Sequence, residues 1–169
     1  IFFIEKKKLN LNHKEILQIT SKIGSDVIIG LQKKKLIIYK NNKILEIKKK
    51  LNLYTLLVNP NFGCSTKKIY KNTKIFSKPL FNGKKRLLIN NQFLKKLKND
   101  LEQSAFSKYP ILKRIKEFME KIDNVLFVRM TGSGSTIIGY FILRKQALNA
   151  RKILKKKYKH HWCILSRTI

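Results

Sequence analysis

The chain has 169 residues, a length that is typical of about one domain and sufficient to bury a core without disulfides or structural metals. Its formal charge is +30, from 39 Lys and Arg against 9 Asp and Glu. The opening stretch IFFIEKKKLN meets charge too early for a signal peptide or a membrane span, so we expect no targeting segment there.

The basic residues first suggest a nucleic-acid partner, because Lys and Arg neutralise phosphates. They are scattered in short lysine runs between apolar segments, whereas a basic RNA-binding arm forms a block, so solvated faces are the simpler interpretation. We therefore predict no specific nucleic acid as partner and no membrane association, although the positive field attracts a phosphate-bearing ligand. Cys64 and Cys163 show no metal-binding spacing, so we expect no metal site and a reduced, cytoplasmic setting.

The first elements are a helix and a hairpin. Asn12 followed by Glu15 resembles a capping box, and apolar residues at helical spacing then predict a helix over residues 13 to 23 that ends at Gly24. The segments KLIIYK and KILEI, separated by Asn41-Asn42, predict two strands around a tight turn. A domain boundary is predicted near Leu51, which divides the chain into residues 1 to 50 and 51 to 169.

The second part alternates strands and helices. LYTLLVNP predicts a buried strand, and Ser65 or Thr66 can cap a short helix through Tyr70. Helices are predicted at about 88 to 104 and 109 to 122, with strands at VLFVRM and IIGYFIL, a helix at 145 to 158 and a last strand at HWCILS. We predict an α+β fold, a sheet with helices on one side.

The loop between the strands VLFVRM and IIGYFIL carries the first chemical signal. Two glycines and several hydroxyl residues in MTGSGST let the backbone approach a ligand closely and offer N–H and O–H donors to anionic oxygens. A tight glycine-rich hairpin turn without a ligand is the alternative interpretation.

Several motifs in a fixed order resemble one enzyme family. They are IGSDV at 23 to 27, NPNFGCSTKKIY at 59 to 70, NDLE at 99 to 102, YP at 109 to 110 and MTGSGST at 130 to 136. This succession resembles the diphosphocytidyl-methylerythritol kinases of the GHMP superfamily from their middle to their end. The resemblance implies a ferredoxin-like C-terminal domain over residues 51 to 169, preceded at residues 1 to 50 by the end of a domain like the second domain of ribosomal protein S5.

The resemblance also implies an activity and its residues. It implies ATP- and Mg²⁺-dependent phosphorylation of the 2-hydroxyl of 4-diphosphocytidyl-2-C-methyl-D-erythritol, in the non-mevalonate synthesis of isoprenoid precursors. Asp26 would accept the hydroxyl proton, with Gly24 and Ser25 beside the substrate, and Tyr70 would stack on the cytosine ring. The loop residues near the phosphates would be Thr131, Gly132, Ser133, Gly134 and Ser135.

Other interpretations stay open for these residues. Asp26 could cap a turn, and Tyr70 could be a core tyrosine at the end of a short helix. Asp100 and Glu102 are expected to shape a helix terminus rather than to touch substrate. Another GHMP kinase, such as a homoserine or mevalonate kinase, would share the aspartate and the loop, and a basic RNA-binding α+β domain could use Phe127, Tyr140 and Trp162.

One part of a GHMP kinase site has no counterpart in the sequence. None of the seven glycines lies in a glycine- and serine-rich loop of the PxxxGLGGGSSNAA type that holds ATP phosphates at a helix N-terminus. We therefore expect the chain to correspond to a C-terminal portion that lacks the ATP-binding half. We also expect no phosphorylation by this chain alone, and the sequence leaves the oligomeric state open.

Overall fold

The structure of the chain, a computed structural model, describes residues 11–23, 35–39, 43–47, 51–78 and 90–168. Two compact units make up the chain, Ile1–Lys48 and Lys49–Ile169. The assignment of residues 1 to 50 and 51 to 169 to two kinase domains stays a prediction. No helix within the described ranges is long and apolar enough to cross a membrane.

The first unit contains the predicted helix and hairpin. Helix α1 spans His13–Ile23, and strands β1 (Lys35–Tyr39) and β2 (Lys43–Ile47) pair antiparallel. The capping box is confirmed, since the Asn12 N–H donates to Glu15 Oε2 at 2.8 Å and the Glu15 N–H donates to Asn12 Oδ1 at 3.0 Å.

The second unit is a four-stranded antiparallel sheet covered by helices. Its strands are β3 (Tyr54–Asn59), β4 (Phe127–Met130), β5 (Ile137–Phe141) and β6 (Trp162–Arg167), in the spatial order β4-β5-β3-β6. The helices are α2 (Thr66–Asn72), α3 (Asn91–Lys96), α4 (Leu101–Lys108), α5 (Pro110–Glu120) and α6 (Arg144–Lys157). This strand order is that of a ferredoxin-like sheet, and the predicted α+β class is confirmed.

The core lies between the sheet and its helices. Residues on one face of the strands alternate with exposed or half-buried ones, and Leu56, Val128, Ile137 and Phe141 are almost completely buried. The helices contribute a second buried layer, which includes Ile69, Leu101, Ala105, Leu112, Ile115, Met119, Ala147, Ala150 and Leu154.

The helix predicted at 88 to 104 is wrong, because the chain forms two helices there. Leu97 ends α3 in an extended conformation, with φ −66° and ψ 142°. Asn99 then accepts a hydrogen bond from the Leu101 N–H at 3.0 Å. Because this side-chain bond takes the place of a helical backbone bond, the helix is interrupted and a new one, α4, begins at Leu101. Residues 88 and 89 lie outside the described ranges.

Candidate functional site

The loop between β4 and β5 is a compact turn with two left-handed glycines. The Thr131 N–H donates to the Thr136 carbonyl at 2.9 Å, and the Gly134 N–H donates to the Thr131 carbonyl at 2.8 Å. Gly132 and Gly134 have φ of +47° and +91°, values that side chains rarely adopt. A Cβ at Gly134 would also lie 3.0 Å from Met130 Sδ and 3.1 Å from Cys64 Sγ, so this position requires glycine.

The second half of the loop is anchored to the end of β3. Asn59 donates through Nδ2 to Ser135 Oγ at 3.2 Å and to Thr136 Oγ1 at 3.0 Å. Ser135 is buried, and its hydroxyl donates to the Phe62 carbonyl. The Ser135 hydroxyl proton is thus used within the protein, whereas Gly132 is exposed and Thr131 and Ser133 are half-buried. The first half of the loop is therefore the part that faces solvent.

Helix α2 begins beside this loop and presents Tyr70 outward. Thr66 Oγ1 and Ser133 Oγ lie 2.9 Å apart, within hydrogen-bond distance. Ser65 occupies the N-cap position without a side-chain capping bond. Ile69 is fully buried and holds the helix to the core, while the Tyr70 side chain is 53% exposed. The alternative that Tyr70 is a core residue is therefore wrong.

A cavity of about 400 Å³ joins Tyr70 to the loop. Its lining includes the exposed rings of Tyr70 and Phe76, the loop residues Met130 and Gly132, and Lys98. Gly132 is the member of the predicted phosphate loop that lines this cavity, together with the predicted ring-stacking residue Tyr70. An aromatic wall, backbone groups and a lysine suit a ligand with a planar ring and an anionic substituent.

The NDLE motif supports this cavity in a way that the sequence did not predict. Asp100 makes no capping bond but accepts from the N–H and the hydroxyl of Ser77, at 2.8 and 2.9 Å. Glu102 accepts from the Met130 N–H at 2.8 Å and from Lys116 Nζ at 2.7 Å. The two carboxylates do lie at the start of α4, at its N-cap position and in its first turn, but their side chains bond segments that line the cavity or flank it.

Asn99 is the functional candidate that sequence reasoning missed. Its Nδ2 donates to the Met130 carbonyl at 2.9 Å and to the Gly132 carbonyl at 2.8 Å. Both partners lie more than 30 residues away in sequence, so local patterns carry no signal for the contact. Its one signal in the sequence is its place as the first residue of the NDLE motif.

Cys64 lies against the loop, and its thiol is a poor nucleophile at neutral pH. Burial raises the pKa of its thiol above the ordinary value, so the protonated form dominates at neutral pH. In the described part of the chain, no group of three or more His, Cys, Asp or Glu side chains could hold a metal ion. No described residue is therefore assigned to Mg²⁺.

Three of the predicted site residues are not tested by the structure. Asp26, the predicted proton acceptor, and its neighbours Gly24 and Ser25 lie outside the described residues. Their roles stay predictions.

Comparisons with known proteins agree on one family. Residues 84–160 match the family described as GHMP kinases C terminal. The chain is 46% identical over 168 residues to 4-diphosphocytidyl-2-C-methyl-D-erythritol kinase of Pelagibacter ubique (strain HTCC1062), covering 99% of this chain and 60% of the relative. It is 33% identical to the kinase of the same name from Clostridium perfringens (strain SM101 / Type A), covering 100% of this chain and 62% of the relative.

Solved structures share the fold. The crystal structure of a 4-(cytidine 5'-diphospho)-2C-methyl-D-erythritol kinase aligns with a TM-score of 0.71 at 17% identity, over 95% of this chain and 59% of that chain. Homoserine kinase from Cytophaga hutchinsonii aligns with a TM-score of 0.55 at 12% identity, over 79% of this chain and 47% of that chain.

The chain spans about 60% of the length of the two curated relatives described above. Sequence similarity over nearly all of this chain, the matched C-terminal family and the ferredoxin-like sheet all point the same way. Residues 84–160 therefore carry the C-terminal domain of the GHMP kinases, and the chain as a whole is similar to the corresponding part of kinases of that family.

Proposed function

We propose that this chain is the C-terminal part of a kinase that transfers the γ-phosphoryl group of ATP to the 2-hydroxyl of 4-diphosphocytidyl-2-C-methyl-D-erythritol. The observation that carries the proposal is the cavity shared by the exposed Tyr70 ring and Gly132 of the loop. The 46% identical relative bears the name of this kinase, which supports the same substrate class. Synthesis of isoprenoid precursors by the non-mevalonate route is the corresponding process, in the cytoplasm.

The proposed substrate consists of a planar cytosine, a charged diphosphate and a polyol, and the cavity offers a counterpart for two of these. Tyr70 stacks on the cytosine ring, a contact worth about 1 to 3 kcal/mol per base. The diphosphate lies toward Lys98 and the exposed half of the loop, where a cation and backbone groups compensate its charge.

Phosphoryl transfer needs a base and an electrophile. In the proposed reaction the substrate hydroxyl oxygen forms a bond to the γ-phosphorus, the bond from that phosphorus to the bridging oxygen of ADP breaks, and the hydroxyl proton passes to the Asp26 carboxylate. A positioned base of this kind contributes roughly 10²- to 10⁴-fold in rate. Mg²⁺ would neutralise phosphate charge when it is bound.

The cytidine assignment is tested by binding of CDP to the full chain, measured by calorimetry or by amide chemical shifts. The substitution Tyr70→Ala removes the stacking surface and should weaken CDP binding by about 5- to 160-fold, the equivalent of about 1 to 3 kcal/mol. Tyr70→Phe keeps the ring and should stay within about twofold of the parent, because stacking needs no hydroxyl.

Trp162→Ala is the matched control, because Trp162 is also an exposed aromatic residue, 44% accessible, but lies on edge strand β6 and does not line the cavity. It should leave CDP binding unchanged. Equal losses in Tyr70→Ala and Trp162→Ala, or equal binding of CDP and ADP, would remove the basis for a cytidine substrate. The fold shared with homoserine kinase leaves other GHMP substrates as the alternative, and an exposed aromatic ring over the cavity favours the base-bearing one.

A further inference from the structure

We infer that Asn99 is a positioning residue that orients the exposed half of the loop toward the phosphate groups of the ligand, acting through two backbone carbonyls. The inference rests on the proposed function, because it assigns a role within the same cavity. Asn99 lines that cavity together with Gly132, on the side of the loop that faces α4.

Both polar ends of the Asn99 side chain are used. Oδ1 accepts from the Leu101 N–H at 3.0 Å, which fixes the side chain to the start of α4. Nδ2 donates to the Met130 carbonyl at 2.9 Å and to the Gly132 carbonyl at 2.8 Å. A side-chain amide has one acceptor oxygen and two N–H donors. Both donors and the acceptor are used in these three bonds, which together define one side-chain orientation.

The two carbonyl contacts determine where the loop points its N–H groups. In a trans peptide the carbonyl and the N–H point in opposite directions. The Gly132 carbonyl is held toward Asn99, so the N–H of Ser133 in the same peptide group points away from the Asn99 amide. Gly132 has φ of +47° and is exposed, and glycine has little intrinsic resistance to rotation of this peptide. The hydrogen bond from Asn99 to the Gly132 carbonyl restricts the rotation that glycine itself permits.

The neighbouring residue, Asp100, holds the segment that carries Phe76, a second part of the cavity lining. Asp100 accepts from the Ser77 N–H and hydroxyl, which fixes the backbone next to Phe76. Two consecutive side chains at the start of α4, Asn99 and Asp100, therefore hold the loop at Gly132 and the segment next to Phe76, both of which contribute to the cavity lining. A ligand that contacts both walls gains from this pre-organisation, because the loop need not be ordered on binding.

The test compares two ligands, CDP and cytidine, in the full chain with Asn99→Ser. A serine hydroxyl can accept the same bond from the Leu101 N–H, two residues on, so the start of α4 is kept, but its side chain is too short to reach either loop carbonyl. We expect CDP affinity to fall by about tenfold, the usual scale for a lost charge-assisted hydrogen bond, while cytidine affinity changes by less than about twofold. The Ser133 amide resonance should shift with CDP in the parent chain and should lose that response in Asn99→Ser.

The matched control is Asn90→Ser, since Asn90 accepts from the Phe93 N–H at 2.8 Å at the start of α3 and does not line the cavity. It should leave both ligands unaffected. Should Asn99→Ser fail to fold, the isosteric Asn99→Asp replaces it, with Asn90→Asp as the control for the added charge.

Each outcome decides a different statement. If Asn99→Ser lowers CDP and cytidine affinity by the same factor, Asn99 has a general structural role and the inference is overturned. The inference is also overturned if both the CDP affinity and the response of the Ser133 amide resonance stay unchanged. If the parent chain binds neither ligand, the proposed function fails. Asn99 is then judged by amide exchange at Gly134, whose N–H bonds to the Thr131 carbonyl. Exchange faster by about tenfold in Asn99→Ser than in Asn90→Ser would uphold the restraint of the loop, and equal exchange would refute it.

Discussion

At the scale of single residues, Glu102 connects the loop to the helical layer. Its carboxylate accepts from the Met130 N–H and from Lys116 Nζ, and the side chains of Lys116 and Glu102 are only 19% and 13% exposed. Lys116 also pairs with Glu120 at 3.6 Å, but Glu120 is 46% exposed. Lys116 thus has one exposed partner, Glu120, whose interaction is screened by solvent, and one largely buried partner, Glu102. The two ion pairs should therefore contribute differently to the free energy of unfolding.

Replacing Glu102 should destabilise the fold far more than replacing Glu120. Glu102→Ala leaves a half-buried ammonium and the Met130 N–H without their acceptor, at a cost of about 2 to 3 kcal/mol in the free energy of unfolding. Glu120→Ala should cost less than about 0.5 kcal/mol, as for most exposed ion pairs. Urea denaturation of both variants measures the difference, and equal costs would contradict a supporting role for Glu102.

At the scale of elements, helix α5 shows what the sequence could predict. Proline at its first position and apolar residues at helical spacing predicted a helix at 109 to 122, and the structure has Pro110–Glu120 with Leu112, Ile115 and Met119 buried. These features are local, so the sequence pattern determines them directly. The segment at 88 to 104 was misjudged because the helix ends at Leu97 and Asn99 bonds the Leu101 N–H through its side chain, and the spacing of apolar residues does not report such a contact.

The candidate site likewise contains residues that the sequence could predict and residues that it could not. The glycine-serine loop and Tyr70 were identified through motif order and the resemblance to a family. The contacts of Asn99, Asp100 and Glu102 link them to residues 23 to 33 positions away in sequence, and no periodicity reports such pairs. The residues that carry chemistry were therefore easier to predict than those that hold them in place.

Leu112 in α5 offers a prediction about how the helical layer supports the loop. The side chain is fully buried, and its Cδ1 would lie 3.5 Å from a Cβ at Gly134. Leu112→Ala should leave a cavity beneath the loop and cost about 2 to 5 kcal/mol in the free energy of unfolding. Arg114→Ala on the exposed side of the same helix should cost less than about 0.5 kcal/mol. Thermal or urea unfolding measures the free energy of unfolding of both variants. Similar losses in Leu112→Ala and Arg114→Ala would contradict a supporting role for Leu112.

At the scale of the whole molecule, the charge of +30 makes binding of any polyanion expected and hence uninformative by itself. Lysines on many surfaces attract RNA through its backbone, whereas a built site recognises one ring and its phosphates. The two modes differ in how many phosphates are neutralised at once, and the dependence of affinity on salt measures that number.

Affinity for a single-stranded RNA bound through 6 to 10 of its phosphates should therefore fall by roughly 3 × 10²- to 10⁴-fold between about 50 and 200 mM salt, because each phosphate contributes about 0.7 to the slope of log affinity against log salt. CDP has only two phosphates and should lose less than about tenfold over the same range. Fluorescence anisotropy for RNA and calorimetry for CDP give the two slopes. If RNA binding instead persisted at moderate salt and depended on base sequence, while CDP binding vanished, the cavity of Tyr70 and Gly132 would not be the principal ligand site, and the RNA-binding alternative would be preferred.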